Sequence, residues 1–275
     1  MRVPVRGAAP TALVLALSLL VIGPALSACD TPRTPGTPRT AGEAGTTGTA
    51  GAAPGVVLRA ERTSPTDIDL RWQGGGGPGA SGHILEFATD AAGPYTVLQY
   101  LPPQVTSYRH PDLMPHTTFH YRLRAFAGPV SKPVDVSLPA GGLTAADEDV
   151  GHDWLPARKD PERTSPGRPL RPTGAGAPTG FKAVVKHANG ILFTWTDHAS
   201  DEKGFLLESR IPGDSDEGSG DDSGYAPVAV FEPDVNSAGL ITLPTEKQGS
   251  YRVRAFTHGA LSNVVRLTTG ASADQ

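Results

Sequence analysis

Tyr121-Arg122-Leu123-Arg124-Ala125-Phe126 and Tyr251-Arg252-Val253-Arg254-Ala255-Phe256 are almost one hexapeptide written twice. In both, Tyr, an aliphatic residue and Ala alternate with two arginines, the pattern of a strand with one buried face. Working outward, the flanking sequence repeats in the same order. Ile68-x-Leu70-x-Trp72 pairs with Ile191-x-Phe193-x-Trp195, and Gly82-His83-Ile84-Leu85-Glu86 pairs with Gly204-Phe205-Leu206-Leu207-Glu208. Tyr95 answers to Tyr225, and Pro54 to Pro178. Nearly the whole length difference is one insertion between Arg210 and Tyr225, an acidic Gly/Ser stretch with the chemistry of a hairpin tip. The chain therefore contains two copies of one all-β unit.

Composition agrees. The 275 residues leave room for more than one domain, and 33 Gly with 27 Pro favour short strands and turns over long helices. A net charge of −4 has the wrong sign for a nucleic-acid binder, which needs a basic face to displace phosphate counterions. The single cysteine, Cys29, forbids an intramolecular disulfide.

The motifs together resemble the fibronectin type III domain: a Trp closing the second strand, Gly-aromatic-x-Leu in the third, and Leu113-x-Pro115-x-Thr117-x-Phe119-x-Tyr121-x-Leu123-x-Ala125 toward the sixth. The resemblance implies two tandem seven-stranded Ig-like β-sandwiches, over 54–138 and 178–270, joined by a linker at 139–177. It also implies a core position for His83, where the family carries an aromatic residue. The tyrosine-corner position holds Phe119 in the first copy and Gly249 in the second, so both corners need other support. The second copy is the more degenerate and is expected to be the less stable.

Arg2 and Arg6 precede an apolar run from Thr11 to Ile22, broken by Gly23-Pro24 and too short to span a bilayer. Leu26-Ser27-Ala28-Cys29 follows and resembles the lipobox of bacterial lipoproteins. That resemblance implies a signal peptide at 1–28 and diacylglycerol on the Cys29 thiol. It places the protein on the extracytoplasmic side of a bacterial membrane. Cleavage would remove two arginines and no acid, so the acyl chains, at ~0.8 kcal/mol per buried CH₂, would do the holding. Residues 29–53 are Thr, Pro, Gly and Ala with scattered charge, the composition of a disordered tether. Trp154 stands in the polar 139–177 linker, where it is expected to pack on a neighbouring domain and order part of the linker.

No nucleophile elbow, metalloprotease helix, phosphate loop or Cys-His pair is present, so the expectation is a protein that is not an enzyme and carries no cofactor beyond the acyl group. His116 and His120 have chelating spacing for a helix, but on a strand four residues span ~13 Å. Asp214, Asp216, Glu217, Asp221 and Asp222 crowd the inserted loop without the order of a calcium loop, so a solvated tip and no metal is expected. Trp154 and these five acids are the distinctive binding candidates. The functional expectation is a lipid-anchored module recognising a cell-wall glycan or another envelope protein. The alternatives are a passive stalk or adaptor, and more distantly an accessory unit of a polysaccharide-degrading system. An exposed aromatic row would favour the first, a featureless polar surface the second.

Overall fold

Ile68, Leu70 and Trp72 are buried while Asp69 and Arg71 turn away, so the alternation in sequence becomes the two faces of a strand. The computed structural model describes residues 55–74, 79–142, 144, 152–171, 174–212 and 224–271. In the first copy, β1 (Val57–Arg62), β2 (Ile68–Gln73) and β5 (Ser107–His110) form one antiparallel sheet in the order β1-β2-β5. Facing it are β3 (Gly82–Ala88), β4 (Thr96–Leu101) and β6 (Thr118–Ala127), with β3 central. Leu58, Ile68, Leu70, Trp72, Leu85, Tyr121 and Leu123 fill the space between.

The second copy repeats this plan. Here β9 (Thr179–His187), β10 (Gly190–Ala199) and β13 (Ser237–Ile241) oppose β11 (Gly204–Arg210), β12 (Ala226–Phe231) and β14 (Gln248–Leu261). Ile191, Phe193, Trp195, Phe205, Leu207, Tyr251 and Val253 make its core. The architecture is all-β, with two sandwiches of fibronectin type III-like strand order.

The closing strands do not follow the contiguous partition. β7 (Val134–Ser137) belongs to the first copy by sequence but pairs with β14 of the second, Val134 opposite Tyr251 and Ser137 opposite Gln248. β15 (Val265–Thr268) pairs with β6 of the first, Val265 opposite Tyr121 and Thr268 opposite Thr118. The segments 54–138 and 178–270 therefore exchange their last strands, and neither coincides with a packed body. Val136 and Leu138 sit in the second core, and Val265 and Leu267 pack on the first.

The physical reason lies after β6. Gly128-Pro129-Val130 runs on instead of turning back, and Val130 bridges to Arg254. Two prolines within 129–133 fix φ and remove amide donors, which stiffens the crossover against a tight return. A Cβ on Gly128 would meet the backbone carbonyl of Ala255, so only glycine passes there.

The exchange is symmetric. Ser131 Oγ accepts the Val253 amide and its own N–H donates to the Val253 carbonyl; Ser262 does the same with Leu123. Beyond the crossover β14 pairs directly with β6, His258 opposite Phe126, so one sheet runs β12-β11-β14-β6-β3-β4 through both copies. One face of it buries Ile84, Phe126, Leu206 and Phe256, with Tyr100 against them, as a third apolar core. The Phe126 and Phe256 rings meet edge-on at 5.8 Å, and the edge strands β4 and β12 touch across this core. β3 and β11 are thus buried on both faces, which explains why Ile84-Leu85 and Leu206-Leu207 are apolar in consecutive positions.

The linker is ordered along the second sandwich. Arg158 bridges to Ser237. Asp160 caps a 3-10 turn (Pro161–Arg163), and β8 (Thr164–Arg168) lies parallel to the end of β10. Asn236, fully buried, accepts the Asp160 amide and donates to the Asp160 carbonyl and Thr164 Oγ1.

Candidate functional site

Cys29 and the loop acids Asp214, Asp216, Glu217, Asp221 and Asp222 lie outside the described residues. The acidic loop is rooted at Pro212 and Gly224, between β11 and β12. Trp154 is described, half-buried against β10 and β13, where Gly190 and Gly239 leave it space. A Cβ on either glycine would come within 2.7 Å of the indole. The ring stands edge-on to His152 at 5.7 Å and His187 at 5.4 Å, while Leu155 beside it accepts the Gly239 amide. Trp154 is thus a wedge that fastens the linker to the second sandwich.

A charged ladder that the sequence reading did not single out lies on the same sheet face as the third core. Glu208 accepts from Arg252 Nε at 2.6 Å and from Arg254 Nε at 2.7 Å, all three side chains buried. Arg254 also donates to Ser81 Oγ and to the Gly128 carbonyl, tying the second copy to the crossover of the first. The first copy repeats the set: Glu86 accepts from Arg122 Nε at 2.6 Å with Arg124 at 4.0 Å, more open to solvent. Arg122 covers the Tyr95 ring at 3.9 Å and Arg252 the Tyr225 ring at 4.0 Å. The signal was present in the sequence, because both copies keep Glu and two Arg on the face pointing away from their own cores. Removing one member of the buried set would leave an uncompensated charge, at ~3–5 kcal/mol.

Two open clefts adjoin this ladder. One, of about 500 Å³, lies at the crossover between Ser81, Gly128, Val130, Leu170, Arg171 and Arg254. The other, of about 330 Å³, lies between Lys132, Pro133, Arg210, Tyr225 and Arg252 near the root of the acidic loop. Among the described residues, neither lining holds a His, Cys, Asp or Glu. His83 is fully buried against Trp72, at a ring distance of 5.9 Å, with neither nitrogen hydrogen-bonded; burial pushes its pKa down. His110 Nδ1 lies 3.0 Å from the Tyr121 hydroxyl, and burial lowers its pKa too, while burial raises that of Tyr121. All eight Phe, six Tyr and three Trp of the chain are described, and none is exposed.

Fold and strand order define a tandem fibronectin type III-like module. No family model matches the chain, and no curated protein matches it. Solved structures do match. A Fn3-like protein from Clostridium thermocellum is 25% identical over 28% of this chain and 79% of that one, with a TM-score of 0.24. A two-domain fibronectin type III segment of chicken tenascin is 13% identical over 78% of this chain and 97% of its own, also with a TM-score of 0.24. The fn3 domain of the human collagen alpha-1(XX) chain is 22% identical over 30% and 76%, with a TM-score of 0.23.

Proposed function

We propose that the chain is a non-catalytic, lipid-anchored binding module of a bacterial cell envelope, held at the membrane through Cys29 and carrying its interlocked sandwiches as one rigid head. The observation that carries this reading is the path of the chain. It enters the first sandwich at Val56, goes out to build the second, and returns to finish the first. Asn263 grips both backbone groups of Leu58, and the Gly270 amide donates to the Pro65 carbonyl. The beginning and end of the folded body thus lie in one sandwich. A stalk strings its domains in series, whereas here the chain returns to the first sandwich after building the second.

The ligand class that fits best is another envelope protein. A glycan platform presents exposed rings to sugar faces, and every aromatic side chain here is covered at least in part. Val228 and Val230, in contrast, are exposed on β12, an end strand of its sheet, and offer apolar contact to a protein segment. Photo-cross-linkers at Val228 and Val230 in living cells are expected to capture one envelope protein. No captured protein, with wild-type attachment to the membrane, would favour the passive stalk. For the anchor, Cys29→Ser is expected to move the protein from the membrane to the soluble exported fraction or to leave its signal uncut. Equal membrane retention of variant and wild type would refute lipidation.

A further inference from the structure

In the second sandwich three carboxylates converge. Asp197 lies near the end of β10, Glu202 in the turn to β11, and Asp234 in the loop between β12 and β13. One oxygen of each falls within 4.8 Å of the others. Asp197 is 1% exposed and Glu202 7%, a depth at which carboxylates are rare unless paired. Asp197 Oδ1 accepts the Ala199 amide, and its Oδ2 is buried with no hydrogen-bond donor. Glu202 Oε1 accepts the amide of Asp234, a residue held at φ 65°. Among the described residues, one ammonium pairs with the group, Lys159 at 3.0 Å from Asp234 Oδ2, and that pair is mostly solvent-exposed and contributes little.

From this geometry we propose that Asp197, Glu202 and Asp234 form a divalent cation site of the calcium type. Calcium binds oxygen at ~2.3–2.6 Å, so no two of its ligand oxygens stand more than ~5 Å apart, and the three carboxylates fall inside that limit. Magnesium, at ~2.0–2.1 Å, needs a tighter octahedron, and an all-oxygen donor set suits neither zinc nor copper. The buried Oδ2 of Asp197 gains the partner it lacks, and water completes the shell on the open side at Asp234. The repeat puts Gly74, Ala80 and Gln104 at the corresponding positions of the first copy, so the site belongs to the second alone.

Titration of the exported domain with calcium chloride, followed by calorimetry and thermal melting, tests this. Wild type is expected to bind one calcium, with a dissociation constant of ~10⁻⁴–10⁻³ M as in extracellular modules, and to melt at a higher temperature when loaded. Asp197→Asn and Glu202→Gln are expected to lose the saturable heat and the rise in melting temperature, and Asp234→Asn to weaken both. Should Asp197→Asn fail to fold, Asp234→Asn decides, because its side chain is exposed. Replacing Gly213–Ser223 by a short turn is expected to leave binding intact. Absence of saturable binding in wild type overturns the site, as does binding that survives Asp234→Asn and Glu202→Gln or vanishes with the 213–223 loop.

Discussion

Asn263 belongs to the second copy by sequence, yet its side chain holds the first sandwich shut. Its Oδ1 accepts the Leu58 amide and its Nδ2 donates to the Leu58 carbonyl, each at 2.9 Å, fastening β15 beside β1. Asn263→Ala removes both bonds. Each is worth ~0.5–1.5 kcal/mol net, so the change is expected to cost ~1–3 kcal/mol. It should act where the bonds are. Amide exchange in β1 and in the β15-facing half of β6 is expected to quicken by ~5–150-fold, as a local opening of that energy would allow. Exchange in β9, β10 and the Gln248–Val253 stretch of β14 should change far less. Mass-detected hydrogen exchange on wild type and variant measures both regions in one experiment. A loss of protection in the second sandwich with the first unchanged would mean that β15 closes its own copy, and the exchanged topology would be wrong.

Three further outcomes follow from the same packing. Ser131→Ala, which removes the acceptor for the Val253 amide, is expected to loosen the second sandwich by ~1 kcal/mol, seen as faster exchange in β14. Trp72→Ala and Trp195→Ala should each cost ~3–5 kcal/mol. Because each copy lends a strand to the other, calorimetry should then show one shifted transition and not one melted domain beside an intact one. His83 and His110 are pH-sensitive core residues: burial sets the folded pKa of each below the unfolded value of 6.5. As pH falls through that window the unfolded chain takes the proton first, so stability drops toward acid. His83→Phe is expected to flatten the decline of melting temperature below pH 6.5, and an unchanged slope would clear His83 of the effect.

The strands and their faces were legible because each depends on its own residues. Ile68, Leu70 and Trp72, or Tyr121, Leu123 and Ala125, state which side is buried without reference to anything distant. The choice of partner for the closing strands was not legible. Val134-Asp135-Val136 and Val265-Arg266-Leu267 carry the same alternation, so either fits either sandwich. What decides is the crossover: Gly128 under the Ala255 carbonyl, Val130 bridged to Arg254, and the third core of Ile84, Phe126, Leu206 and Phe256. All of these are contacts between residues far apart in sequence. The outward-facing Ile84, Leu206 and Phe256 were the available hint, since a lone sandwich would expose them. The acids that stand out in sequence are the dense run Asp214–Asp222, whereas Asp197, Glu202 and Asp234 are brought together only by folding. Trp154 was legible as a packing residue; that Gly190 and Gly239 would make its seat was not.

Thr118 and Thr268 face each other across β6 and β15, with their hydroxyl oxygens 2.9 Å apart. In a Cys29→Ser background, Thr118→Cys with Thr268→Cys is therefore expected to form a disulfide within one chain under mild oxidation, since paired positions on adjacent strands meet the required separation. If β15 closed its own copy, Thr268 would instead face Gln248 on β14, the position that Ser137 occupies in the exchanged fold. Intramolecular bonding of 118 to 268, with none between Gln248→Cys and Thr268→Cys, is the predicted result; a bond between 248 and 268, and none between 118 and 268, would contradict the strand exchange.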